Sequence, residues 1–274
     1  LIYMGLSMSI FTQTSHSRSA TLTRQNALLQ SSFDQYQPKA LPQQNKLLAA
    51  IPDSEWIELE NEMELVEFKM NQVLYESGKT PLYLYFPTTA VISLFYMTQD
   101  GESSELAVIG NDGVIGISLV LSGSNISNEA VVHSAGLGYR LRAQLVKKAL
   151  NRDGELLNIL LRYSQSMITQ MTQTAVCNRH HSIDQQLSRR LLLSLDRLSC
   201  NEITMTQEML ASMLGVRRES ITDAALKLQN AGVINYKRGI ITVEDRHALE
   251  NRSCECYAIA TNEQLRLQEM AFSS

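Results

Sequence analysis

Arg217, Arg218, Glu219, Ser220, Thr222 and Asp223 crowd hydrogen-bond donors and acceptors into seven consecutive positions, and Lys237 and Arg238 add two cations a short distance on. Such a set makes hydrogen bonds and neutralises charge rather than breaking covalent bonds. Arginine offers a planar fork to paired acceptors, a carboxylate accepts from an amine, and exposed cations meet phosphate. For these groups to act together, something must hold them on one surface.

The surrounding residues, TQEMLASMLGVRRESITDAALKLQNAG from Thr206 to Gly232, suit two short helices crossing through a tight turn. Thr206 is placed to cap the first helix by accepting from a backbone N–H at its second or third position, and Glu208 favours the positive end of the helix dipole. Leu210, Met213 and Leu214 form a buried stripe. Ala211 is small enough for a close helix crossing, and Gly215 falls where the turn needs a positive φ. The second helix is expected from about Arg217 to Asn230, with Ile221, Ala224, Ala225 and Leu228 inward and its polar N-terminal end exposed. After Gly232, VINYKRGIITVED reads as a hairpin tipped by Lys237-Arg238-Gly239. Helix, turn, helix and basic wing is the order of a device that reads double-stranded DNA in a major groove. Its candidate contacts are Thr206, Gln207, Arg217, Arg218, Glu219, Ser220, Thr222, Asp223, Lys227, Lys237 and Arg238. The alternative is a helical hairpin that only packs.

The chain carries a formal charge of −4, which by itself argues against a nucleic-acid partner. The distribution is uneven: residues 41–150 hold 7 Lys/Arg against 13 Asp/Glu, whereas residues 189–246 hold 9 against 7. Such modest basicity implies modest nonspecific affinity, so tight binding needs two units acting together. No apolar run approaches the roughly 18 residues of a membrane span. The start LIYMGLSMSIF lacks a basic leader, and a cytoplasmic protein without a membrane partner is expected. Residues 1–40, rich in Ser, Gln and Thr, read as a flexible tail, with Met4 or Met8 as possible initiators.

Between Leu41 and about Arg142, segments such as MELVEF, QVLYESG, LYLYFPTT, AVISLFYM, SELAVIG, VIGISLVL, AVVHSAG and GYRLRA alternate or form short apolar runs, broken at Ser77-Gly78, Asp100-Gly101 and Asn111-Asp112-Gly113. Many short strands at close spacing predict a β-sandwich or barrel. From about Glu155 to His180 the period becomes helical. Leu157, Ser164 and Met171 form one seven-residue row, and Leu161, Ile168 and Ala175 form another; these six residues are expected at a parallel homodimer seam.

A barrel, a long helix and a winged helix-turn-helix, in that order, resemble the Crp/Fnr family of bacterial transcription regulators from roughly Asn45 to Tyr257. The resemblance is carried by VLYESGKTPLYLYFPTTAVISLFY, IGNDGVIGIS, CNRHHSIDQQLSRRLLLSLDRL and, most specifically, TQEMLASMLGVRRESIT. It implies an α+β chain with an N-terminal β jelly-roll barrel, a long dimerisation helix and a C-terminal winged helix-turn-helix domain. The expected boundaries are a tail at 1–40, a cyclic-nucleotide-binding-like sensor domain at 41–150, the long helix at 151–183, the DNA-binding domain at 184–260 and a C-terminal tail at 261–274. By resemblance, Arg218 would bond a guanine edge and Glu219 a cytosine amino group. Asp223 stands where the cyclic-AMP-responsive members place Arg, so the preferred site should differ in at least one base. RNA polymerase and an unidentified small-molecule effector are the further implied partners.

The sensor departs from the family pattern. Gly116 matches a glycine that a ribose-binding Glu follows, but Ile117 comes next. Asn128 to Val132 reads NEAVV where an Arg-Ser-Ala-Thr-Val pattern holds the cyclic phosphate. Without that cation, useful cyclic AMP binding is not expected; Arg140 and Arg142 are taken as surface charges. The cysteines are Cys177, Cys200, Cys254 and Cys256, with none in the N-terminal region that carries the oxygen sensors' iron–sulfur ligands. Cys254 and Cys256, with His247 and Cys200, offer metal ligands in number, but a two-residue step is unusual for a zinc knuckle. Adjacent His180 and His181 on one helix point about 100° apart, away from a common ion. No metal or other cofactor is therefore expected. Nor is an enzyme: there is no phosphate loop with its Lys, no zinc-protease motif and no nucleophile elbow, and Gly110 to Gly116 reads as a barrel turn. The rival to DNA regulation is a ligand-binding or interaction module with a vestigial helix-turn-helix.

Overall fold

A computed structural model of the chain describes residues 41–121, 127–150, 154–198 and 200–272. The expected tail at 1–40 lies outside the described residues. Two helices that the strand pattern did not anticipate come first, α1 (Lys46–Ala49) and α2 (Asp53–Glu60). Asn45 explains the first: its side chain accepts from Leu47 and Leu48 N–H, and its amide donates to Pro87 and Gly113 carbonyls at 2.8 and 2.9 Å.

Seven strands follow: β1 (Glu64–Phe68), β2 (Val73–Tyr75), β3 (Tyr83–Pro87), β4 (Val91–Met97), β5 (Ser103–Ile109), β6 (Glu129–Ser134) and β7 (Gly136–Arg142). They pair antiparallel in two sheets, ordered β1-β7-β3 and β2-β6-β4-β5. Alternation sends Leu84, Phe86, Ile92, Leu94, Ala107, Ile109, Ala130, Val132 and Leu141 into one apolar core. Val91 and Val108 are buried too, against Leu193. The β4–β5 face is thus covered on both sides, which accounts for its nearly unbroken apolar sequence. VIGISLVL is not a strand: Ile115 makes a single bridge to Tyr85, and residues 118–121 turn into α3 (Ser118–Leu121).

After α4 (Ala143–Leu150) comes the long helix α5, Glu155–His180, with the bounds its periodicity predicts. Glu55 of α2 caps it, accepting from the Glu155 and Leu156 N–H groups at 2.7 and 3.1 Å, at the end where the helix dipole favours a carboxylate. Leu156, Ile159, Leu160, Tyr163 and Met167 face the barrel core. CNRHHSIDQQLSRRLLLSLDRL holds the end of one helix and the whole of the next: α5 stops at His181, and α6 (Ile183–Leu195) starts with Ser182 and Gln185 in a reciprocal capping box.

The C-terminal part builds a second core around α6, β8 (Glu202–Thr204), α7 (Gln207–Leu214), α8 (Arg218–Asn230), β9 (Ile234–Lys237), β10 (Ile240–Val243) and α9 (Arg246–Arg252). Its sheet is ordered β8-β10-β9. Residues 261–272, expected as tail, instead continue α10 (Glu255–Phe272), which packs along α5. Among the described residues no helix is long and apolar enough to cross a membrane.

Candidate nucleic-acid interface

Thr206 caps α7, its hydroxyl accepting from Met209 N–H at 3.1 Å, as its residue type predicts. Gly215 ends that helix at φ 63°, and Val216 N–H reaches back to Ala211 O at 3.0 Å. Without this left-handed residue the turn would not bring α8 across α7. Ala211 is buried in the crossing, with Leu210, Met213 and Leu214 beside it and Ile221, Ala224, Ala225 and Leu228 closing from α8. At roughly 1.5–3 kcal/mol for each large side chain fully buried, this apolar seam rather than helix propensity holds the pair.

Arg217 is the N-cap of α8 and makes no capping bond through its side chain. Arg217, Arg218, Glu219, Thr222 and Asp223 are exposed and Ser220 is half-buried, so this end of α8 faces solvent with its polar groups in place. Gln207 and Thr222 do not stand apart: Thr222 Oγ1 donates to Gln207 Oε1 at 2.9 Å and locks the starts of the two helices together. Lys227 departs from the expected face. It lies in the last turn of α8, and its Nζ is 3.0 Å from Asp184 Oδ2 of α6, a helix-to-helix tie.

The wing turns through Arg238 and Gly239, both at positive φ (52° and 81°), with Lys237 opposite Ile240. This is the two-residue turn whose twist suits a hairpin, and Arg238 holds a conformation that costs a non-glycine residue about 1–2 kcal/mol. Gly239 O accepts from Met205 N–H at 2.8 Å, anchoring the wing tip beside Thr206. Between wing and α8 runs a cleft lined by Thr206, Gln207, Arg218, Tyr236 and Arg238. Sequence reasoning missed Tyr236, whose hydroxyl donates to Met205 O at 2.9 Å. Burial raises its pKa and the Arg218 charge lowers it, which places Tyr236 within electrostatic reach of Arg218.

Not every cation of the segment belongs to this surface. Arg190 Nε lies 2.6 Å from Glu105 Oε1, and Arg197 Nη2 lies 2.7 Å from Asp112 Oδ2, both pairs buried. Arg189 is buried as well. The positive charge that reaches solvent on this face is that of Arg217, Arg218, Lys237 and Arg238, beside the exposed carboxylates Glu219 and Asp223.

The seam residues on α5 divide. Leu161, Ile168 and Ala175 are exposed, whereas Leu157, Ser164 and Met171 are half-buried and Met171 packs on the barrel core. In the N-terminal barrel, Ile117 packs against the apolar core. Asn128 accepts from Tyr75 Oη at 3.0 Å, and Ala130 is fully buried. Arg140 bonds Glu64 at 2.6 Å and lies 4.3 Å over the Tyr83 ring; Arg142 is exposed. The metal-ligand set weighed from sequence is rearranged: Cys200 and His247 are exposed, and Cys254 and Cys256 meet Cys177 and His181 instead.

The chain is thus a two-sheet barrel joined by a long helix to a winged helix-turn-helix. Residues 185–252 match the family described as the Crp-like helix-turn-helix domain. A Eubacterium rectale protein assigned as a Crp/Fnr-family transcriptional regulator superposes with a TM-score of 0.61 at 16% identity, over 75% of this chain and 96% of that one. FixK2 of Bradyrhizobium japonicum gives 0.59 at 16%, over 70% and 98%. A Crp/Fnr-family regulator of Thermus thermophilus gives 0.57 at 19%, over 69% and 98%. No curated protein sequence matches the chain. The chain thus has the Crp/Fnr regulator fold and carries a Crp-like helix-turn-helix domain.

Proposed function

We propose that the protein is a sequence-specific DNA-binding transcription regulator, acting as a cytoplasmic homodimer on a two-fold symmetric site and not responding to cyclic AMP. The observation that carries this reading is the exposed start of α8, with Arg217 and Arg218 set beside a wing tip bearing Lys237 and Arg238. Four cations per subunit, doubled by symmetry, set the slope of log affinity against log salt at no more than about 7 in magnitude. Exposed Leu161, Ile168 and Ala175 along α5 supply an apolar row for the two-fold seam. Recognition helices so paired read half-sites about 34 Å apart. Ile117 on the core and the NEAVV segment, which has no cation and carries Glu129, leave a cyclic phosphate without its counter-charge, a loss worth several kcal/mol. RNA polymerase and an effector of another chemistry complete the scheme, and no catalytic step is required of the chain.

Selection of duplex fragments by the purified protein, with and without cyclic AMP, tests this. Recovery of a palindrome in both conditions is the expected result. Recovery only with cyclic AMP overturns the reading of the sensor, and no enrichment in either overturns autonomous DNA recognition.

A further inference from the structure

Three cysteines and a histidine from separate parts of the chain meet where the long helix ends. Cys177 lies in the last turn of α5, His181 is the residue at which that helix stops, and Cys254 and Cys256 flank the first residue of α10. Their ligand atoms all lie within 4.8 Å of one another. Cys177 Sγ is 3.5 Å from Cys254 Sγ, and Cys256 Sγ is 3.6 Å from His181 Nδ1. The three thiols are buried.

The two closest of these separations match edges of a coordination tetrahedron, and the others lie within reach of one. With metal–sulfur bonds of about 2.3 Å and metal–nitrogen bonds of about 2.0–2.1 Å, the sulfur–sulfur edge is about 3.8 Å and the sulfur–nitrogen edge about 3.6 Å. In an iron–sulfur cluster the four ligands are divided among two or more irons, so ligands on different irons lie farther apart. A tetrahedral set of three soft thiolates and an imidazole selects zinc over magnesium, calcium or manganese.

The surroundings fit the same ion. His181 Nε2 is 3.2 Å from Glu255 Oε1, which leaves Nδ1 toward the thiols and gives the ring the carboxylate support that metal-bound histidines use. Arg189 lies close enough to interact electrostatically with Cys177 and Cys256. It is 4% exposed, its Nη2 donates to Thr174 Oγ1 at 3.1 Å, and its Nε has no partner. Among the described residues no carboxylate forms an ion pair with it. A buried guanidinium needs a counter-charge. Three thiolates and a neutral imidazole around a dication carry one net negative charge, which answers that need.

We propose that Cys177, His181, Cys254 and Cys256 bind one zinc-type divalent ion that fastens the start of α10 to the α5–α6 junction. The ion would close the chain across the helix-turn-helix and wing, making metal affinity part of the stability of that junction.

The full-length protein, reduced, stripped with chelator and titrated with cobalt(II), tests the site. One equivalent per chain, with the visible bands of tetrahedral cobalt and a thiolate charge-transfer band, is expected, and zinc should displace it. Cys256→Ser should lower the charge-transfer intensity by about a third or more and weaken cobalt binding, and Cys200→Ser, an exposed thiol outside the cluster, should leave both unchanged. Glu255→Gln, which removes no ligand, should keep the spectrum and weaken affinity about 10- to 100-fold. No stoichiometric cobalt binding by the folded, fully reduced wild type overturns the proposal. So does an unaltered spectrum in folded Cys256→Ser.

Discussion

Arg218 and Arg190 belong to one mildly basic segment, yet burial gives them opposite work. Arg190 is 2% exposed and committed to Glu105, whereas Arg218 faces solvent at the start of α8. A bidentate contact to a guanine edge is worth about 1–3 kcal/mol of discrimination. Arg218→Ala is therefore expected to weaken the selected site by that amount and to affect a scrambled duplex less, as read by fluorescence anisotropy; equal losses on both would assign Arg218 to phosphate. His133 makes a second residue-scale prediction. Its Nδ1 lies 2.9 Å from Ser93 Oγ, and burial, aided by the charges of Arg190 and Arg197, holds its pKa well below the usual range. The folded protein keeps this ring neutral while the unfolded chain takes up a proton near pH 6.5. Below that pH the unfolded state binds more protons, so the stability conferred by a neutral His133 is present above about 6.5 and is lost on acidification, by at most about 1.4 kcal/mol per pH unit. Urea midpoints at pH 7.5 and 5.5 should converge in His133→Gln relative to wild type; an unchanged gap would place the acid sensitivity elsewhere.

At the scale of elements, α5 has two faces with different duties. Leu156, Ile159, Leu160, Tyr163 and Met167 hold the barrel, and Leu161 and Ile168 are 47% and 59% exposed. Ile168→Glu should change folding stability by no more than about 0.5 kcal/mol, as exposed substitutions do, while setting like charges across a two-fold seam. Sedimentation should then show monomers at concentrations where the wild type is dimeric, with DNA affinity falling alongside; a persistent dimer would move the seam off this row. The helix was legible because its period holds from residue 155 to 180 without Gly or Pro. The strands of the barrel were legible wherever one face meets the core and turn residues bound the run. VIGISLVL misled because a short apolar run has no period to distinguish strand from helix. The break at His181 has a local signal, Ser182 with Gln185 three residues on. The α10 helix and the cysteine site were illegible for a different reason. Both depend on contacts between residues near 177 and near 255, and no local pattern records such a meeting.

At the scale of the whole molecule, the barrel and the helix-turn-helix share a polar seam. Arg190 reaches Glu105 of β5, Arg197 reaches Asp112, and Ser103 Oγ lies 2.5 Å from Ser212 Oγ of α7. The turn at Gly215 also sits against Ser104, since a β-carbon there would come 2.7 Å from that hydroxyl. A change in β5 therefore bears directly on the turn that sets α8 across α7. The Arg190–Glu105 pair is the part of this seam that can be weighed. Taking one partner from a buried ion pair costs about 3–5 kcal/mol because the other charge stays behind, whereas replacing both with apolar groups of similar volume is often neutral. Glu105→Leu alone should lower the unfolding midpoint strongly and expose the α5–α6 junction to protease, and Glu105→Leu with Arg190→Met should recover most of the stability. The recovered double variant separates two duties of the pair. If the ion pair aims α8 as well as filling the seam, DNA affinity in the double variant should differ from wild type despite restored stability. Wild-type affinity at wild-type stability would leave aiming to Ser103, Ser212 and the close packing at Gly215.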